Sequence, residues 1–570
     1  MSHTLPGKDA TLEDTIATLQ GRLAALGFHP EEVSWLHPVD GCWSVHLRER
    51  DCPLIYTNGK GGSELAARAS ALGEMCERLG NHYFWTHYYL GRARSERAWV
   101  HFARERWFDA CEEGWPDGLL DDEALRDFYD PDAALAAAQL TDFNSGDSGR
   151  GVCALPYTRV SDGKTVWFPV NLIGNLYLSN GMAAGNTAYE ARTQALSEVV
   201  ERAVKFRVLR DGLCLPDIPP AVIERHPAIA AGIASLRAAG FHILVKDASL
   251  GGRYPVACVT LVHPHDRGVF ASFGAHPSFA VALERALTEL LQGRALDALA
   301  GFPEPAFDPE EVASPANLEL HFIDSSGSVG WPFLGAAPDF AFCDWNFEGS
   351  TAADWDSLCA LLHEDGNEIY VADFEETGVY CCRVIVPGLS EIYPVDDLEW
   401  ENNNIGNPLR APIARLPELS DAECRALADA LDAASLADEK PVWELIGLAA
   451  DPDSAWASLR VGELRALIAL ALCDEENARA QTEWVCRFGQ LPAPRMAVWR
   501  VLEAVFEFGA SLPDYRAMLA TLWGEHAVAT AEALKDGRER FFGLNALGEN
   551  FEGSERHRQL LAAYDKLTAA

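Results

Sequence analysis

The chain has 570 residues, 48% of them apolar and 23% charged, ordinary proportions for a soluble protein of two to four domains with a substantial core. Its formal net charge of −39 argues against nucleic-acid backbone binding, which relies on Lys and Arg neutralising phosphates; it fits a basic protein partner or plain solubility. No secretory signal opens MSHTLPGKDATLED, and LRALIALALC is too short, and too interrupted by Arg465, to span a bilayer. The 14 cysteines are scattered without a C-x-x-C pair, so buried reduced thiols, a cytoplasmic location and no membrane partner are expected.

Thr11 is placed as an N-cap with Asp14 at N3, opening an amphipathic helix through Leu26. WSVHLRE and PLIYTNG alternate as strands, and GGSELAARASALGEMCER, Gly61 to Arg78, reads as a first acidic helix. The aromatic-rich stretch from Tyr83 to Trp115 reads as an insertion or covering layer, and residues 116–150 as acidic and loop-rich. CALPYTRVSDGKTVWFPVNLI forms a hairpin turning at Asp162-Gly163. It leads into a second acidic helix within SNGMAAGNTAYEARTQALSEVVER, Ser179 to Arg202. HILVKDAS and VACVTLVHP are strands before a third helix, AVALERALTELLQGR. IYVADF and VYCCRVIVPG are two further strands, the latter sending Cys381 and Cys382 to opposite faces. This recurrence predicts a mixed α/β (α+β) domain with a duplicated core. Composition shifts across residues 401–420, ENNNIGNPLRAPIARLPELS, and alanine- and leucine-rich helices follow. Their short connections predict stacked hairpins of the tetratricopeptide sort, or a helical lid. Two domains are expected, 1–415 and 416–570.

In the second acidic helix, Glu190, Gln194, Glu198 and Glu201 fall at i, i+4, i+8 and i+11, on one face. Three carboxylates so aligned repel one another unless something cationic stands before them. The first helix repeats the pattern: Ala67, Arg68, Ala71, Leu72, Glu74, Glu77 and Arg78 match Ala191, Arg192, Ala195, Leu196, Glu198, Glu201 and Arg202. The third repeats it loosely through Ala282, Ala286, Leu287 and Glu289, with Gln292 in place of the second glutamate. A single Glu-rich stripe is usually a solvated face. Three copies with alanines beside the acids suit close packing around one site. Hard oxygen ligands without His or Cys suit Mg²⁺ with substrate phosphates, and Arg78, Arg202 and Arg285 are forks suited to phosphate. No P-loop is present: the glycine required before Gly163-Lys164-Thr165 is Thr158, and Gly59-Lys60 is followed by Gly61. His276, in GAHP, reads equally as a site residue or a turn histidine, and Ser325 and Ser326 as loop caps or catalytic groups.

The paired E-x-x-E-R motifs, the SNGMAAGNT turn and the LERALTELLQGR helix resemble the YcaO family, which binds ATP and Mg²⁺ through glutamates instead of a P-loop. The resemblance runs from PGKDATLEDT to GLNALGENF. It implies that Glu74, Glu77, Glu190, Glu198, Glu201 and Glu289 are metal ligands. It further implies that Ser70, Asn186, Gln194, Arg202 and Arg285 touch phosphates or ribose, with Lys8 and Thr15 near the nucleoside. Family members of known chemistry phosphorylate a peptide amide oxygen. The azoline-forming ones end in a proline-rich tail, whereas this chain ends DKLTAA and has no evident leader-peptide-binding domain. The resemblance is closest to stand-alone proteobacterial members. It implies an accessory factor for β-methylthiolation of a small-subunit ribosomal protein by a radical-SAM methylthiotransferase, a homodimer with slow ATP hydrolysis. The alternative it leaves is an ATP-dependent amide-activating enzyme of the cyclodehydratase or thioamidation type.

Overall fold

The computed structural model describes residues 4–147, 149–398 and 402–568; Met1–His3, Glu401 of the Asn-rich stretch and the last two residues of DKLTAA lie outside the described residues. The chain begins with helix α1 (Leu12–Ala25), a three-stranded antiparallel meander of β1 (Pro30–Val39), β2 (Cys42–Glu49) and β3 (Tyr56–Gly61), and helix α2 (Glu64–Gly80). A middle section supplies β4 (Arg106–Phe108), β5 (Val152–Arg159), β6 (Thr165–Pro169), β7 (Met182–Gly185) and the long helix α3 (Ala188–Arg210). The opening order then recurs in α4 (Pro227–Ala238), β8 (His242–Asp247), β9 (Val256–Val262), β10 (Val269–Ala275) and α5 (Phe279–Leu290). This is the duplicated core of a mixed α+β fold. Strands β11 (Tyr370–Phe374) and β12 (Tyr380–Ile385) complete a six-stranded sheet in the order β4-β5-β11-β12-β7, with β6 on β5.

Local chemistry starts the first two acidic helices. The Ser63 hydroxyl accepts from the Ala66 amide ahead of α2, and Thr187 accepts from Glu190 ahead of α3, satisfying amides that have no intrahelical partner. Thr11 does the same for Asp14, with Leu26 as the C-cap residue of α1. The alanines beside the acids have a specific use. A Cβ at Gly59 would lie 2.5 Å from the Ala71 nitrogen, and one at Gly274 2.5 Å from the Ala286 nitrogen. Strands β3 and β10 therefore lie backbone against backbone on the helices they precede. Helices α2 and α3 cover opposite faces of the six-stranded sheet: Cys381 packs into the core containing α2, Cys382 into the core containing α3, and both are fully buried. All the cysteines are free thiols, and only Cys473 is exposed.

Several elements differ from expectation. Strand β1 is mostly exposed and carries no apolar alternation, whereas β10 is buried throughout. In CALPYTRVSDGKTVWFPVNLI the hairpin forms, but its last residues enter the helix Val170–Leu176. In PLIYTNG only Tyr56 onward is strand.

The C-terminal region is helical, its core running from Leu409 to Phe551. The last helix, Glu555–Thr568, leaves that core and docks on the first: Leu560, Leu561, Ala563, Tyr564 and Leu567 pack with Trp85 and Phe28. The Trp85 indole donates to the Leu560 carbonyl at 2.9 Å, and the Tyr564 hydroxyl to the Val100 carbonyl at 2.6 Å. Tyr564→Ala is expected to lower stability by about 3–4 kcal/mol, the usual range for emptying a buried aromatic site, as read from urea unfolding of the full chain.

Candidate functional site

One cavity of about 1320 Å³ opens between α2, α3 and α5. Lys8, Thr15, Ser70, Glu74, Glu77, Asn186, Glu190, Gln194, Glu198, Glu201, Arg202, Arg285 and Glu289 all line it. Residues from positions 8 to 289 of the chain thus face a common space.

The carboxylates are answered by cations of the protein. Glu198 lies 2.9 Å from Arg202, Glu74 3.4 Å and Glu77 3.6 Å from Arg78, and Glu201 3.8 Å from Arg285. Glu289 pairs with Lys60 of β3, which sequence reasoning set aside with the discarded Gly59-Lys60 motif. Glu190, almost wholly buried, ties down the N-terminal segment. It accepts from Lys8 Nζ at 3.2 Å, from the Asp9 amide at 2.9 Å, and at both oxygens from Asn186 Nδ2. Asn186 in turn accepts from the Thr15 hydroxyl at 3.0 Å. Glu201 accepts from the Ala275 amide at 2.9 Å, which joins α3 to the end of β10. Among the described residues, no three Asp, Glu, His or Cys side chains converge closely enough to enclose a metal ion.

The electrostatics show what the cavity lacks. Burial, with Glu198 and Glu74 nearby, pushes Glu77 up to about 8 against the opposing pull of Arg78. Burial and the neighbouring Arg285 bring Lys60 down to about 8. Among the described residues, ten carboxyl side chains line the cavity against seven lysines and arginines. A triphosphate therefore enters such a site only with cations that reverse the local sign. Arg78 Nη1 and Arg285 Nε are buried without a hydrogen-bond partner among the described residues. A buried donor left unpaired is costly, and a phosphate oxygen is a partner of the right chemistry. The donor set, oxygen ligands beside unpaired guanidinium nitrogens, fits Mg²⁺ together with a nucleotide.

Several lining residues carried no sequence signal. Glu284 accepts from the Gly62 amide at 3.2 Å, linking α5 to the turn before α2. Beyond the glutamates, Tyr83, Phe322 and Tyr393 extend the wall, and Trp443 and Glu444 reach it from the C-terminal helical region. His276 is a turn histidine: its Nδ1 accepts from the Ser278 amide and its ring lies against Gly7. Ser325 is buried, its hydroxyl accepting from Lys205 Nζ at 2.8 Å.

Residues 58–390 match the family described as YcaO cyclodehydratase, ATP- and Mg²⁺-binding, and residues 406–570 match the YcaO cyclodehydratase C-terminal domain. The Escherichia coli protein named ribosomal protein S12 methylthiotransferase accessory factor YcaO is 47% identical over 575 residues, covering 99% of this chain and 98% of its own length. An uncharacterized Haemophilus influenzae protein is 46% identical over 574 residues, again covering 99% and 98%. Among solved structures, the YcaO of Methanopyrus kandleri bound with AMPPCP and Mg²⁺ aligns at 19% identity and a TM-score of 0.40, covering 66% of this chain and 91% of that one. Two family matches that together span most of the sequence, and a relative near half identity along its whole length, place this chain in the YcaO family.

Proposed function

We propose that the chain binds ATP with Mg²⁺ in the cavity between α2, α3 and α5, and serves as an accessory factor for β-methylthiolation of a small-subunit ribosomal protein by a radical-SAM methylthiotransferase. The observation that carries this reading is the 47% identity to the Escherichia coli accessory factor, extending over 99% of this chain. In it, Glu74, Glu77, Glu190, Glu198, Glu201 and Glu289 supply oxygen ligands; Glu190 also holds Lys8 at the rim together with Asn186, which faces the phosphates or ribose. Ser70, Gln194, Arg202 and Arg285 take the phosphates, while Thr15 and Lys8 close over the nucleoside side. When bound, Mg²⁺ offsets the phosphate charge and favours its redistribution during phosphoryl transfer. Arg202 and Arg285 contribute fixed positive charge toward the same end.

The chain acts in two parts, 1–415 for nucleotide and 416–570 as a TPR-like array for protein contact, working as a homodimer in the cytoplasm without nucleic-acid contacts. A net charge of −39 suits a basic ribosomal protein as the target. A second reading, phosphorylation of a peptide amide oxygen, is favoured by the cavity itself: about 1320 Å³ exceeds the ~300–1,000 Å³ of ordinary small-molecule sites. ATP turnover of the purified chain with Mg²⁺ separates the readings. Stimulation by the methylthiotransferase and its ribosomal substrate together is expected for an ATP-driven accessory role. Tight binding with unstimulated turnover would leave a regulatory role, and no nucleotide binding would remove both.

A further inference from the structure

Arg383 breaks the pattern of its own strand. Within VYCCRVIVPG it is surrounded by apolar residues, β12 is an inner strand of the six-stranded sheet, and only 5% of Arg383 is exposed. Its Nη2 donates to the Leu178 carbonyl at 2.6 Å and contacts Met182 Sδ at 2.8 Å. Its Nη1 has no hydrogen-bond partner, and no ion pair to it is present among the described residues. A carbonyl and a thioether are dipoles; neither neutralises a buried guanidinium.

The strand register shows where the bare nitrogen sits. Arg383 pairs with Ala372, and Val371 pairs with Thr158, so Tyr157, Ala372 and Arg383 stand in one row across three strands. Tyr157 and Arg383 line a cavity of about 50 Å³, and Asn81, His82 and His101 also line it. Asn81 Oδ1, His82 Nδ1, His101 Nε2, the Tyr157 hydroxyl and Arg383 Nη1 are all buried without a hydrogen-bond partner among the described residues. His101 lies 3.2 Å from the fully buried Asp142, so its charge has an answer. Among the described residues no carboxylate lies within ion-pairing distance of Arg383, and Glu77 acts on it only from further away.

We propose that this second cavity holds a small monovalent inorganic anion of halide size, bound by Arg383 Nη1 and the Tyr157 hydroxyl. Water alone would fill hydrogen bonds but leave the guanidinium charge uncompensated. At about 10–15 Å³ per water in this measure, the space also takes a water beside the anion, which gives Asn81 Oδ1 its donor. Asn81 Nδ2 donates to the Glu77 carbonyl at 2.9 Å, so the anion lies behind the end of α2 that carries Glu74 and Glu77. It lies beside the cavity between α2, α3 and α5, sharing Gly174 and Leu178 with it as walls, and its presence does not depend on the function proposed above.

Crystals of the full chain grown with bromide in place of chloride, measured at the bromine edge, are expected to give an anomalous peak within hydrogen-bond distance of Arg383 Nη1 and the Tyr157 hydroxyl. In solution, the melting temperature is expected to be about 2 °C higher in sodium chloride than in sodium gluconate at equal ionic strength. Arg383→Met and Tyr157→Phe should each lose that gain. Tyr157→Phe removes a single oxygen and keeps the test decisive should Arg383→Met fail to fold. Water density without anomalous signal at that position overturns the proposal, as does a chloride gain that is absent or survives in both variants.

Discussion

Glu201→Gln and Glu198→Gln are each expected to weaken Mg²⁺-dependent ATP binding by more than about 100-fold, since even partners outside a metal's ligand shell cost 10- to 100-fold. Isothermal titration with and without Mg²⁺ reads the loss. The far-UV circular dichroism spectrum should stay that of the wild type. Glutamine keeps a carbonyl oxygen where Glu201 accepts from the Ala275 amide and where Glu198 and Glu201 meet Arg202 and Arg285. The change therefore reports on the ligand and not on the fold. Normal nucleotide binding by both variants would sink the assignment of the glutamate cavity as the ATP site.

The second large effect concerns packing. Gly274→Val, and likewise Gly59→Val, should cost about 3 kcal/mol or more in urea unfolding, at the upper end of overpacking penalties. The added Cβ would meet helix backbone, which cannot rotate away as a flexible side chain would: the Ala286 nitrogen lies 2.5 Å from the position at Gly274, and the Ala71 nitrogen 2.5 Å from that at Gly59. Gly21, in the middle of α1 with nothing within 4 Å of its added Cβ, is the contrast. There Gly→Ala should raise stability by about 0.5–1 kcal/mol through helix propensity. Equal responses at Gly274 and Gly21 would contradict the backbone-on-backbone contact.

The two glycines also explain what the sequence could reveal. The acid-and-alanine frame was legible because one constraint, a strand pressed on a helix beside a shared cavity, acts three times and leaves the same spacing each time. The cap at Thr11 and the hairpin at Asp162-Gly163 were legible because their chemistry is local. Strand β1 was not, since Glu31, Glu32, Ser34 and His37 face solvent along an edge and erase the alternation that marks a half-buried strand. Strand β10 failed for the opposite reason: buried on both faces, it has no polar side to alternate with. Lys60 was hidden because its partner Glu289 lies far along the chain and no local pattern couples them. The aromatic wall at Trp443 belongs to a region whose own composition speaks only of helices. The cavity beside Arg383 depends on strand register, which the residues of one strand do not fix.

The returning helix at Glu555–Thr568 sets a condition on how this protein is made. A ribosome delivers the chain N-terminus first, yet the hydrophobic cluster around Trp85 and Phe28 closes only with Leu560, Leu561 and Tyr564. Leu560 follows Trp85 by 475 residues, so the segment that completes the first core leaves the exit tunnel long after the rest of that core. The N-terminal core therefore stays incomplete until that helix emerges, and a nascent chain lacking it carries an open apolar face. Long-range closure of this kind is slow and exposes the chain to aggregation while it waits.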